Sequence, residues 1–188
     1  MRKKILCCLL IISIILPLNA CGNKNATNNT PKPEATATKK PEFNIQEFEM
    51  LVADYNAALM NQVLLVANMA KYEANYWEAL NNIGGSIDYD ELVSYAEEWL
   101  DEKGKGTLED LEKTHDEIGS QYSKIVKTNT DDSEAAILKD KSDELYSNYN
   151  LLYNLVTSPT GSLNNFVLSF EEYATKTNSL SDEINTLL

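Results

Sequence analysis

From Ile45 onward apolar side chains recur at alternating steps of three and four, through Ile45, Phe48, Val52, Tyr55, Leu59, Gln62, Val66, Met69, Glu73, Tyr76 and Leu80. Nine of these eleven are apolar or aromatic, the spacing of a single stripe along a helix that packs in coiled-coil fashion. The stripe predicts one helix of about 37 residues, a rod about 55 Å long. Asn44 stands where an N-cap belongs, with Glu47 at the reciprocal capping position, and Asn81-Asn82-Ile83-Gly84-Gly85 breaks the pattern.

Four further helices follow by the same reasoning. Asp88, with Glu91 three residues on, opens a short one that ends before Gly104-Lys105-Gly106. Thr107 caps a third, which carries Leu108, Leu111, Ile118, Tyr122 and Ile125 on one face with His115 in register among them. After a turn at Asn129 to Asp132, a fourth runs from Ser133 to Val156 with Ile137, Leu145, Tyr149, Leu152 and Val156, until Ser158-Pro159-Thr160-Gly161 stops it. The last shows Leu163, Phe166, Phe170, Tyr173, Thr177, Leu180, Ile184 and Leu187. No segment alternates with period two, and proline is absent between Pro41 and Pro159. The expectation is an all-α fold: an elongated up-and-down bundle of four to five helices with long coiled-coil-like seams, occupying residues 43–188.

The segment before the helices is of another kind. A basic start (Arg2, Lys3, Lys4) leads into an apolar run from Ile5 to Leu16 and a small-residue exit at Leu18-Asn19-Ala20-Cys21. As a helix that run would rise only about 18 Å, short of the roughly 30 Å of a bilayer core, which suits an export signal and not a retained span. Leu18-Asn19-Ala20-Cys21 resembles the lipobox of bacterial lipoproteins. The resemblance implies removal of residues 1–20, diacylglycerol on the Cys21 sulfur, and a chain held to a membrane outside the cytoplasm by its acyl (palmitate-type) chains. A host with one membrane or with two satisfies it. Residues 21–42 would then be a disordered tether, with three prolines (Pro31, Pro33, Pro41) and no large apolar side chain. With Cys7 and Cys8 removed, Cys21 would be the sole cysteine, so no disulfide supports the body and its stability rests on the apolar core.

Charge narrows the functional classes. Phe43 to Leu188 holds nine lysines against twenty-seven acids, a formal charge of −18, and Arg2 is the only arginine in the chain. Such a body repels nucleic acid and anionic lipid, and nucleic-acid binding is excluded from the reading. His115 is the only histidine. Glu112-Lys113-Thr114-His115 matches the Glu-x-x-His element of di-iron bundles, but such a site needs two of these elements, so a structural role for His115 at or beside the seam is expected. Residues 101–112 resemble a calcium-binding EF-hand loop in Asp101, Gly106, Leu108 and Glu112, while Lys103 and Lys105 put ammonium groups where carboxylates are required. No catalytic residue, metal ligand or cofactor other than the lipid on Cys21 is expected.

The ten tyrosines and two tryptophans, all after Phe43, are the remaining feature. Tyr72, Tyr76, Trp77, Trp99, Tyr146, Tyr149 and Tyr153 are candidate contacts for a ligand or partner, although seam packing also accounts for them. The leading expectation is a tethered, non-enzymatic helical module that binds a protein or an envelope polymer. The competing one is a small-ligand binder for a transport or sensing system. A closed pocket of several hundred Å³ would favour the second, an exposed aromatic patch on a solid core the first. The sequence leaves the oligomeric state and the partner's identity open.

Overall fold

The computed structural model describes residues 43–103 and 105–188; the signal, Cys21 and the tether lie outside the described residues. Five helices account for most of the body: α1 (Ile45–Asn82), α2 (Tyr89–Glu102), α3 (Leu108–Lys127), α4 (Ser133–Thr157) and α5 (Leu163–Leu187). The fold is an all-α helical bundle, with no strand among the described residues. Each helix begins where a side-chain oxygen takes up orphaned backbone N–H groups: Asn44, Asp88, Thr107, Asp132 and Ser162 in turn.

Side-chain contacts give the directions of the helices. Tyr55 meets Ser142 and Gln62 meets Tyr149, so α1 and α4 run the same way. Asn56 reaches Asn185 whereas Trp77 packs on Phe166, so α5 runs against α1. Trp77 beside Tyr89 and Tyr72 beside Trp99 set α2 antiparallel to the later part of α1. Gln62 on Leu111, with Phe43 and Thr128 lining one groove, set α3 antiparallel to the earlier part. Hence α2 and α3 are two pieces of one returning arm. Their 14 and 20 residues together cover about 51 Å, against about 57 Å for the 38-residue α1. The bundle is an up-and-down four-helix arrangement whose second arm is broken, and α1 is the spine that touches all the others.

The break is built by local chemistry. Gly106 adopts a φ of 106°, in the region that favours glycine, and Thr107 and Asp110 form a reciprocal capping box: Asp110 N–H donates to Thr107 Oγ1 while Thr107 N–H donates to Asp110 Oδ2 at 2.9 Å. These bonds hold the Asp110 carboxyl below the usual carboxylate range. The EF-hand-like stretch is therefore the end of α2, a turn and the start of α3, with Asp110 engaged in the cap. Thr107→Ala is expected to cost about 1 kcal/mol of stability, read as a lowered denaturation midpoint at unchanged m-value.

Buried side chains from α1, α3, α4 and α5, among them Val52, Leu59, Val66, Ile118, Ile125, Leu145, Leu152, Leu180 and Ile184, form one core, which α2 extends with Leu92, Ala96 and Leu100. The two polar members of the α1 stripe, Gln62 and Glu73, are buried with the rest, at 1 % and 0 % exposure. Several expectations need correction. Ile137 is exposed, because the α4 stripe runs through Ala135, Leu138, Ser142 and Leu145. A serine in a seam position hid that register. At the end of α1 the buried position is Trp77, while Tyr76 and Leu80 are only half-buried, consistent with the drift of a straight helix against a 3.5-residue repeat. Leu187, near the chain end, is exposed. Glu91 does not cap α2 reciprocally: its carboxylate accepts from the Tyr76 hydroxyl at 2.5 Å instead. Glu47 likewise leaves the α1 cap to Asn44 alone.

Candidate functional site

The aromatic candidates separate into two clusters. On α1 and α2, Tyr76 stacks on Tyr95 with ring centroids 4.5 Å apart, and Tyr72 packs on Trp99 at 4.9 Å. Trp77 turns inward between Tyr89 and Phe166 and is 3 % exposed, which closes it off from any partner. Trp99 is also nearly covered, so this cluster acts chiefly to fasten α2 to α1, with Tyr95 as its exposed edge. The Tyr76 hydroxyl titrates above its ordinary value, mainly because it donates to Glu91.

The second cluster joins α3 to α4 and contains the only histidine. Tyr146, Tyr149 and Tyr153 share a face of α4; their partners are His115 and Tyr122 of α3. Beneath them lies a polar chain that reaches the core. Gln62 Nε2 donates to the Leu111 carbonyl at 2.6 Å, the Tyr149 hydroxyl donates to Gln62 Oε1 at 2.8 Å, and Tyr149 Oη lies 2.9 Å from His115 Nδ1. A carbonyl only accepts, so Leu111 fixes which end of the Gln62 amide faces it. That orientation commits the single proton of Tyr149 to Gln62, and the Tyr149 oxygen must then accept from His115. The imidazole is held as the Nδ1–H tautomer, leaving Nε2 as an unprotonated acceptor. Burial lowers the His115 pKa, with a smaller opposing effect from Asp116, which keeps the ring neutral. Tyr149 is fully buried and does not itself meet a ligand. Its hydroxyl titrates well above the ordinary tyrosine value because burial disfavours the phenolate.

Above this chain lies an open groove of about 700 Å³, lined by His115, Asp116, Gly119, Ser120, Ser123 and Tyr146. It offers one imidazole acceptor, one carboxylate and three hydroxyls, one of them on an aromatic ring. Gly119 keeps it open from below: a Cβ there would stand 2.7 Å from the Tyr146 hydroxyl. A partly enclosed cavity near Leu65 and Leu100 measures only about 50 Å³, too small for a drug-sized solute.

Tyr146 lines this groove, whereas Tyr153, stacked on His115, is 7 % exposed and does not. Gln62, Asp116, Gly119, Ser120, Ser123 and the partner tyrosines Tyr95 and Tyr122 were not singled out. The usable signal was Gln62, one of two polar residues in the α1 stripe, whose buried amide is expected to find hydrogen-bond partners. No group of three or more potential metal-binding side chains occurs among the described residues. The chain matches no protein-family model, and neither the curated proteins nor the solved structures contain a match to it.

Proposed function

We propose that the protein is a lipid-tethered, non-enzymatic binding module, anchored through diacylglycerol on Cys21 and facing outside the cytoplasm, which engages a partner protein with the α3–α4 groove. The observation that carries the reading is the chain from Leu111 through Gln62 and Tyr149 to His115. Buried hydrogen bonds with fixed proton positions hold a surface imidazole in one orientation, the preorganisation that a recognition surface needs. The openness of the groove favours a macromolecular partner over a solute taken up for transport.

Two measurements test this reading. Cys21→Ala should move the chain from the membrane to the soluble fraction and abolish incorporation of labelled palmitate; a variant that stays membrane-bound overturns the anchor. The full chain, cross-linked in the host envelope, should retain a partner that Ser123→Trp and Asp116→Lys each reduce at least tenfold. Glu171→Lys, on the exposed side of α5, should leave retention unchanged. Equal loss in all three variants, or in none, overturns the assignment of the groove.

A further inference from the structure

The solvent-facing side of α1 differs from the rest of the body. Its exposed residues recur at steps of three and four, as its buried ones do, through Met50, Asp54, Ala57, Asn61, Leu64, Asn68, Lys71 and Asn75, with Ala53 beside them. Met50 and Leu64 are 68 % and 62 % exposed. Between Asp54 and Lys71, about four turns of helix, no residue is charged. On α3, by contrast, the exposed residues from Glu109 to Glu117 are all charged except Thr114. In a body of formal charge −18, a long uncharged face is where two such bodies can meet without setting like charges against each other.

Asp54 and Lys71 decide the geometry of that contact. Among the described residues neither forms an ion pair within the chain, and Lys71 shares a surface groove with Glu171 without bridging to it. Two copies laid parallel and in register would set Asp54 on Asp54 and Lys71 on Lys71. Laid antiparallel about a twofold axis at the level of Gln62 and Val63, each Lys71 meets the other copy's Asp54. The same axis puts Leu64 on Asn61, Ala57 on Asn68 and Met50 on Asn75, so one operation satisfies the whole stripe. Asn68 enters the contact with its Nδ2 already donating to the Leu64 carbonyl at 2.7 Å. From Met50 to Asn75 the stripe is about 38 Å long. At a width of roughly 15 Å it covers on the order of 1,000 Å² over the two copies, the lower end for a specific interface.

We propose that α1 pairs antiparallel with α1 of a second copy through the stripe from Met50 to Asn75, with ion pairs between Asp54 and Lys71 closing both ends. The α3–α4 groove is lined by no residue of α1, so it stays open in the pair, and the dimer displays it twice. The pairing stands or falls independently of what the groove binds.

The test is sedimentation equilibrium of the full chain in a neutral detergent, where a dimer is expected with a dissociation constant on the order of micromolar. Asp54→Lys and Lys71→Asp each turn two attractions into two repulsions and should weaken the dimer by about fivefold or more. Combined in one chain, they restore both pairs with exchanged signs and should return the affinity to within about threefold of the parent. Both positions are exposed, so the variants should stay folded. Leu64→Asp, beside the axis, should weaken the dimer about tenfold. In the membrane, chains carrying Ala57→Cys should form a disulfide with chains carrying Asn68→Cys and not with each other, because the two copies of position 57 stand about 16 Å apart along the axis. A chain that stays monomeric at about 100 µM, as when lipid or another protein covers the stripe, overturns the proposal. So does a double variant no tighter than the single ones, or efficient cross-linking of Ala57→Cys with itself.

Discussion

Glu73→Gln is expected to stabilise the protein by about 3 kcal/mol at pH 7, an increase in Tm of roughly 6–12 °C. Glu73 is 0 % exposed on the core side of α1, one turn from the buried Met69, Ala70 and Trp77, and neither of its carboxyl oxygens has a hydrogen-bond partner. Burial raises its pKa from 4.5 to about 9. In the unfolded chain the group ionises near 4.5, while in the folded chain it keeps its proton until about 9. Between those values the unfolded state is the one that releases the proton. Stability is therefore greatest below pH 4.5 as far as this group is concerned, and it falls as pH rises toward 9. Each unit in that window is worth about 1.4 kcal/mol, which gives the figure at neutral pH as an upper estimate. The amide cannot ionise, so denaturation midpoints across pH 5–9 should slope downward for the parent chain and be flatter for Glu73→Gln. Equal slopes would show that the carboxyl is solvated. Glu73→Leu should do at least as well as the amide, since it also removes the unpartnered oxygens.

Tyr149→Phe is the second large effect, an expected loss of about 2 kcal/mol. The substitution keeps the ring and its packing but leaves Gln62 Oε1 buried without a donor and His115 Nδ1 without its acceptor. Gln62→Leu should cost less, because the freed Tyr149 proton can turn to His115. The double variant should then cost less than the two singles together, since no orphaned oxygen remains; strict additivity in the double-mutant cycle would argue against the chain. The imidazole gives an independent readout. Nitrogen NMR should show Nδ1–H in the parent chain and a shift toward Nε2–H in Gln62→Leu. The parent's neutral imidazole also has a pH signature. Its pKa is lowered by burial, so its contribution is complete above the unfolded value of 6.5 and diminishes as pH falls below it.

These predictions turn on residues that the apolar pattern handled unequally. The stripes through Phe48, Val52, Tyr55 and Leu59, and through Phe166, Leu180 and Ile184, located helices and their buried faces, because water exclusion acts on side-chain type and a helix repeats with a fixed pitch. The capping residues Asn44, Asp88 and Thr107 were legible because an unpaired backbone N–H demands a nearby oxygen. Ile137 was misplaced for the complementary reason: the stripe passes through Ser142, whose hydroxyl is satisfied by its own helix at Leu138 and so tolerates burial. The groove was the least legible part. Asp116, Ser120 and Ser123 are ordinary helix-surface residues until α4 lies beside them, and Gly119 reads as a weak helix former until Tyr146 is seen above it. Pairings across helices set these relations, and pitch along one helix carries no record of them.

The spine position of α1 has a mechanical consequence. Residue 43 is where the bundle joins the preceding chain, and α1 lies along the whole length of the bundle from there. A pull applied at residue 43 and resisted at the α3–α4 surface runs nearly parallel to the helix axes, so it loads the Gln62 and Tyr55 contacts in shear. Contacts loaded in shear share the force and yield together, whereas a strand peeled from an edge surrenders them one at a time.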